Sequence, residues 1–552
     1  MRRRWAALLA AACVLLLAGC ADIPTSGDVQ PGQTQDVTNQ DVVLVPYPPA
    51  AGESPADIVQ GFITAATGQQ NTYQVARDFL TPSLAKTWNP DTRVLIHDQS
   101  WMVKVISDTS VVVTVPTTAE VDADGVYTSF PAPKNLAVPF TLAKVNGQWR
   151  IAKTPDGIVL GTNYFGSLFT ARPVSYFDAR WTQTVPDLRW FPAHSISPLR
   201  VVRALLAGQS APIAPPVTVS AFPPQTEVTA VHVASGVATV DLDTGSESPS
   251  LTVVSRMRAQ LSDSLVNLRG IQQVQVSVGG QLEHAPTLPL TTPTESSALV
   301  LRKGVVGTLT GSDFTPEPTL GRQIAATAPQ GGTVSLSRGI AAVLTGTGVD
   351  VVTPAATRVV DSRPGLIDPT LDDRGWTYSV PSNDPTGWRA TDTHGRSVSV
   401  SAPMPDITSI TAIEASRDGT RMLVLASTDR GPTAFVAGIV RDTAGAPLAL
   451  TAERYAVAVP PSTTPLDATW VDAKGASVAV LAQDDSGESV TVQQLGGLPS
   501  TLGRLSMADT LVGATSLKDL RARLQNGSIA ELSGNAWSSE PSQAADVLFV
   551  QR

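Results

Sequence analysis

The residue with the most definite chemistry is Cys20, which closes the run Leu17-Ala18-Gly19-Cys20 behind an apolar stretch from Trp5 to Ala18. Small residues ahead of a cysteine make a cleavage site, and the thiol is the nucleophile that takes a diacylglycerol in the bacterial lipobox. Arg2, Arg3 and Arg4 precede the apolar stretch, so basic patch, apolar core and cleavage site lie in register. The stretch is too short to remain as a membrane-spanning helix. Residues 1–19 are therefore expected to be a signal peptide, with Cys20 becoming an N-palmitoyl, S-diacylglycerol cysteine. Two or three acyl chains anchor stably where one is marginal. The expected place is the extracytoplasmic face of the cell membrane, lipid-anchored to the bilayer.

Other reactive side chains make weaker patterns. The five histidines are His97, His194, His232, His284 and His394, and none stands in a spaced metal-binding pair. His97-Asp98 and Asp392-Thr-His394 bring a carboxylate near an imidazole, but no Gly-x-Ser-x-Gly supplies a nucleophile elbow. Asp241 and Asp243 share a strand face, a placement that could serve acid–base work or a cation only if their environments drive their pKa values apart. Asp122-Ala-Asp124-Gly125 has the opening of a calcium loop without its distant glutamate, and reads as a turn. Thr345-Gly-Thr-Gly348 lacks the rest of a phosphate loop. Trp181, Trp190, Trp376 and Trp470 could stack on sugars but are expected mainly in packing. No catalytic residue, metal site or cofactor is assigned.

Composition narrows the classes further. The chain has 552 residues and a formal charge of −9; without the three signal-segment arginines the balance is 36 basic to 48 acidic, or −12. Such an acidic surface offers no general attraction to nucleic acid. Cys13 and Cys20 are the two cysteines, so the body expected after residue 20 has no thiol for a disulfide or a nucleophile.

The elements that must position these groups fall into blocks. Residues 20–45 carry the anchor and a polar tether of coil reach ~30 Å. In 46–165, Ser54-Pro55 opens a helix with Ile58, Val59, Phe62 and Ile63 on one face, and strand-like runs joined at Asp124-Gly125 and Asn146-Gly147 follow. This predicts an α+β domain, with a cystatin-like or nuclear-transport-factor-like fold as the guess. In 172–290, Ser197-Pro198 opens a helix, Val228 to Leu242 form a hairpin, and Leu251 to Leu268 repeat at helical spacing, predicting an α/β unit. Residues 46–290 are expected to stand as a soluble fragment. From 296 to 552 short β-runs alternate with a polar turn ending in Gly339, Gly375, Gly419, Gly475 and, more weakly, Gly527. Spacings of 36, 44, 56 and 52 residues suit the blades of a β-propeller, five or six in number.

Several stretches carry a resemblance. Cys20-Ala-Asp-Ile-Pro-Thr-Ser-Gly-Asp-Val29, Asp57-Ile-Val-Gln-Gly-Phe62 and Ala76-Arg-Asp-Phe-Leu-Thr81 resemble the LpqB family of actinobacterial lipoproteins. Tyr176-Phe177, Arg203-Ala-Leu-Leu-Ala-Gly208 and Val237-Ala-Thr-Val-Asp-Leu242 resemble a GerM-type (GerMN) domain. The resemblance implies a non-catalytic accessory of the MtrA/MtrB two-component system, contacting the extracytoplasmic domain of an MtrB-type sensor histidine kinase and modulating signalling linked to cell envelope and division. A cell-wall ligand is a further candidate partner. The alternative is an envelope glycan-binding protein, or a glycan-acting hydrolase whose acids converge in the propeller funnel from separate blades.

Overall fold

The computed structural model describes residues 46–552 apart from 69–72, 194–195, 246–247, 267, 291–296, 312 and 541–543; the side chains of 131 and 540 are also left aside. Cys20, the signal segment 1–19, the tether 20–45 and His194 lie outside the described residues.

The first domain begins with helix α1 (Pro55–Ala65), whose Ser54 and Asp57 form a reciprocal capping box, with Pro55 in the first turn. Such a cap stabilises a helix by about 1 kcal/mol. Ile58, Val59, Phe62 and Ile63 are all buried, and each contributes about 1.5–3 kcal/mol. Short helices α2 (Gln74–Arg77) and α3 (Pro82–Thr87) follow. Strands β1 (Arg93–His97), β2 (Met102–Ser107), β3 (Ser110–Asp122), β4 (Tyr127–Val145), β5 (Gln148–Lys153) and β6 (Ile158–Gly161) make one sheet in the order β5-β4-β3-β1-β6, with β2 beside β3. Asn146 and Gly147 both take positive φ, as a two-residue hairpin turn demands.

Helix α4 (Thr162–Leu168) leads into the middle domain. Strands β7 (Phe169–Asp178), β8 (Thr184–Pro192) and β9 (Thr218–Val219) form a small sheet ordered β8-β7-β9. Helix α5 (Pro198–Leu206), capped by Ser197, and helix α6 (Leu251–Leu265) pack with a second sheet of β10 (Glu227–Ala234), β11 (Val237–Asp243), β12 (Gln273–Val278) and β13 (Gln281–Leu282). This domain does not own its core. Val174, Tyr176, Val201 and Leu261 belong to one buried cluster with Leu423, Val436, Tyr455, Trp470 and Val480 of the β-rich remainder. That sharing corrects the expectation of an independent 46–290 fragment, because a cut there bares the middle domain's half of the cluster.

The remainder is a β-propeller of six four-stranded blades among the described residues. Blade 1 runs from Gly331–Ser335 to Thr357–Asp361, blade 2 from Thr370–Leu371 to Ser397–Ser399, and blade 3 from Ile407–Ala415 to Pro447–Val457. Blade 4 runs from Thr464–Trp470 to Pro499–Thr501 and blade 5 from Ala508–Val512 to Ala536–Glu540. Blade 6 joins both ends of the domain: Val547–Gln551 pairs antiparallel with Ala298–Arg302, and Val305–Thr310 and Asp313–Pro316 complete it. The same closing strand pairs in parallel with the first strand of blade 1, Thr333 to Val550 and Val334 to Gln551.

Gly339, Gly375, Gly419 and Gly475 lie in the turn between the first and second strands of blades 1 to 4, all at positive φ. In two of these turns an aspartate at the first position, Asp372 or Asp472, accepts amide protons from residues two and four further on. Gly527 breaks the register. It follows the second strand of blade 5, because that blade's first turn is longer and is organised by Asp519, whose carboxylate takes the Thr515 and Ser516 hydroxyls.

Candidate functional site

The first strands of the blades face a common axis, where a cavity of about 130 Å³ is lined by Asp368, Glu414, Asp467 and Asp509 from blades 2 to 5, with Thr333 and Leu548 beside them. Glu414 is bound by Arg552 at 2.8 Å, both nearly inaccessible. Asp509 lies 2.6 Å from Arg523 Nη1. Asp467 has no cation among the described residues: its oxygens accept from the amides of Ala468 (2.8 Å) and Leu511 (2.7 Å). Burial, reinforced by Asp368 and Glu414 and opposed by those amides, pushes its carboxyl well above the usual range. Burial alone pushes Asp368 up to about 6. A Cβ at Gly331 would collide with the Asp368 carboxylate, so the glycine makes room for the acid.

These acids come together only in the ring. A glycan hydrolase needs one protonated and one ionised carboxyl. Here the two acids without a cation are pushed the same way, and the other two are tied to arginines. Among the described residues, no group of three or more histidine, cysteine or acidic side chains could hold a metal ion.

The Asp368 carboxyl sets a pH dependence. Its value of about 6 in the fold exceeds the ~3.9 of an unfolded aspartate, so the native state binds the proton more tightly. Stability is then lost as pH rises from about 4 through 6. Asp368→Asn is expected to raise the thermal midpoint at pH 7, with the gain vanishing near pH 4. An equal midpoint shift at both pH values would show that the carboxyl is not held high.

Two larger cavities lie at the seams between domains, where ligand pockets of about 300–1,000 Å³ commonly form. One, of about 320 Å³, is bounded by Tyr127 of the first domain, Ser210 of the middle domain, and Arg454, Tyr455 and Gln493 of blades 3 and 4. Trp190 ties the same three parts together. Its amide donates to Gly125 O at 2.8 Å, its ring sits 4.6 Å from that of Phe165, and its indole N–H donates to Gly496 O at 2.8 Å. A Cβ at Gly125 would lie 2.8 Å from Trp190 O, so this hairpin tip docks only because it is glycine. Beside it runs a buried polar chain. Arg189 Nη2 donates to Asp187 at 2.7 Å, the Ser210 amide and hydroxyl donate to Asp187 at 2.8 Å each, and Tyr455 OH donates to it at 3.3 Å. Burial works against the Arg189 charge, and Asp187 overcomes it, holding the guanidinium above its usual range. Another seam cavity, of about 430 Å³, opens between Pro215, Val217 and Val219 of the middle domain and Arg374, Thr420 and Arg441 of the propeller.

The residues singled out in the sequence are scattered rather than gathered. His97 Nδ1 lies 2.8 Å from Gln99 O, His232 pairs with Asp241 at 3.3 Å on an exposed hairpin, and His284 and His394 are exposed. Asp243 caps the Gly245 amide, and Asp122 Oδ1 accepts from the amides of Asp124 and Val126 in a turn. Thr345 and Gly348 close a hairpin. Trp376 packs among blade residues and Trp470 in the cluster shared with the middle domain; Trp181 lies under the Arg256 guanidinium at 4.1 Å. Asp187, Asp368, Asp467 and Arg374 gave no signal in the sequence, since the surroundings that set them apart are completed from other blades or domains, even where a partner such as Arg189 lies two residues away.

The chain is similar to known proteins along most of its described length. Residues 48–166 match the model for the N-terminal domain of lipoprotein LpqB, residues 307–547 that for the LpqB beta-propeller domain, and residues 173–283 the model described as sporulation and spore germination. Lipoprotein LpqB of Thermobifida fusca is 31% identical over 300 residues, covering 51% of this chain and 48% of the relative. Its counterpart in Streptomyces coelicolor is 31% identical over 313 residues (51% and 50%), and that of Cutibacterium acnes 29% over 283 residues (51% and 47%). The chain thus spans about half the length of the curated relatives it matches.

Proposed function

The chain belongs to the LpqB lipoprotein family, and from that premise we propose that it is a lipid-anchored extracytoplasmic accessory that binds a membrane sensor histidine kinase of the MtrB type and modulates its output. The observation that carries this reading is the fused body. The propeller and middle domain share one buried cluster, and Trp190 joins the first domain to both. Such a body presents a fixed surface to a partner, and its contribution is contact free energy rather than turnover. Among the described residues no helix is long and apolar enough to cross a membrane; in this reading the lipobox cysteine Cys20 supplies the attachment. Two proteins held at one membrane need little intrinsic affinity, because anchoring raises their effective concentration.

Crosslinking in membranes tests this. The kinase is expected to be captured by the anchored protein and not by a Cys20→Ala form released from the membrane, and only the anchored form should restore kinase output in a deletion strain. Equal restoration by the untethered form would refute the mechanism.

The axial acids favour one second reading, a funnel that binds or hydrolyses an envelope glycan. Against hydrolysis stand the cavity's size, well under the ~300 Å³ of an ordinary ligand pocket, and the shared direction of the Asp368 and Asp467 shifts. Both observations support the reading as a non-catalytic binder.

A further inference from the structure

We propose that the cavity between the middle domain and the propeller is a binding site for a small oxyanion, a carboxylate or a phosphate on a compact apolar body, with Arg374 as its principal ligand. The inference goes beyond the accessory reading and does not depend on it.

The argument is a count of acceptors. Arg374 lies on the cavity wall, half-buried, and no described residue accepts a hydrogen bond from its guanidinium; its Nε is buried without a partner. Two of the nearby carboxylates, Asp372 and Asp178, are already committed. Asp372 Oδ1 accepts from the amides of Arg374 and Trp376, and its Oδ2 from Tyr378 OH at 3.1 Å and Arg441 Nη2 at 2.6 Å. Asp178 accepts from the amides of Arg180, Thr182 and Gln183 and from the Arg180 and Thr182 side chains. Asp373 is ion-paired with Arg180, its two oxygens buried with no hydrogen-bond partner among the described residues. Asp442, the acid on the cavity wall, spends Oδ1 on the Ala446 amide.

Arg441, by contrast, spends both terminal nitrogens, Nη1 on Gly445 O and Nη2 on Asp372 and Gly419 O, leaving only its Nε without a partner. Arg374 is thus a planar five-donor fork left over beside a second cation. Burial first, then Arg441 and Arg180, hold it below arginine's usual range, a strain that an incoming anion relieves. Bidentate pairing with a carboxylate or phosphate is what such a fork does best. The rest of the wall sets the ligand's body: Pro215, Val217, Val219 and Ile439 are apolar, while Thr443 offers a hydroxyl and that of Thr420 is spent on Asp418. At about 430 Å³ the space suits a small molecule rather than a folded partner.

The test is isothermal titration of the full chain, purified in neutral detergent, with inorganic phosphate and with isobutyrate as separate probes. Binding of phosphate alone identifies a phosphate source, binding of isobutyrate alone a carboxylate source, and binding of both the shared chemistry. Arg374→Gln should weaken the bound probe by about tenfold or more, since a charge-assisted bidentate pair is lost. Thr443→Glu, at an exposed wall position, should do the same by placing a competing carboxylate in the cavity. If neither probe binds the wild type, or if both variants bind as the wild type does, the site is refuted.

Discussion

Deleting residues 547–552 is expected to leave a protein that aggregates, rather than one with a shortened but folded propeller. The closing strand supplies the innermost position of blade 6 and also bonds blade 1, so its loss opens the ring on both sides. Phe549 is fully buried among Leu299, Leu301, Val306 and Val334, and Leu548 packs with Val300 and Ile529. At about 1.5–3 kcal/mol for each buried side chain, Val547, Leu548 and Phe549 account for roughly 5–9 kcal/mol, as much as the whole stability of many domains. The deletion also takes Arg552 from Glu414, leaving a buried carboxylate without its cation. Size-exclusion chromatography and limited proteolysis read the result. Phe549→Ala is the milder form, expected to cost about 3–5 kcal/mol while keeping the ring closed. A monomeric, protease-resistant deletion protein would show that the ring does not depend on this strand.

The second large effect is expected at the seam. Asp187→Ala should destabilise the protein by about 3–5 kcal/mol, because Arg189 is left charged and buried without its counter-ion. Tyr455→Phe removes only a hydroxyl from the same chain and should cost about 1 kcal/mol. Replacing Asp187 and Arg189 together by Leu and Met should recover much of the loss, since the penalty lies in the orphaned charge. Denaturant unfolding followed by tryptophan fluorescence suits this test, because Trp190 lies in the neighbouring strand position and reports on all three parts. A single Asp187→Ala variant as stable as the wild type would mean that the pair does not lock the domains.

Local chemistry was legible wherever a few consecutive residues settle the outcome. Ser54-Pro55 starts its helix because cap and fixed φ act within one turn, and Asn146-Gly147 makes its hairpin because both residues tolerate positive φ. The recurring glycine marked four blades for the same reason, since each turn needs a residue at positive φ at that position. It failed at Gly527, where a longer first turn moved the match to the next hairpin.

The order of the three domains, the helix faces and the blade-forming turns were thus determined by the sequence itself, through interactions a few residues long. Only the tertiary structure decided the rest. Blade 6 pairs Leu299 with Phe549, separated along the chain by most of the propeller, and no periodicity spans that distance. The axial quartet takes one carboxylate from each of four blades, and the Asp187 chain reaches Tyr455 from another domain. Arg374 has its character because Asp372 and Asp178 give their oxygens to others. Burial and charge are sums over neighbours in space, and a closed ring of sheets makes neighbours of residues that the chain keeps far apart.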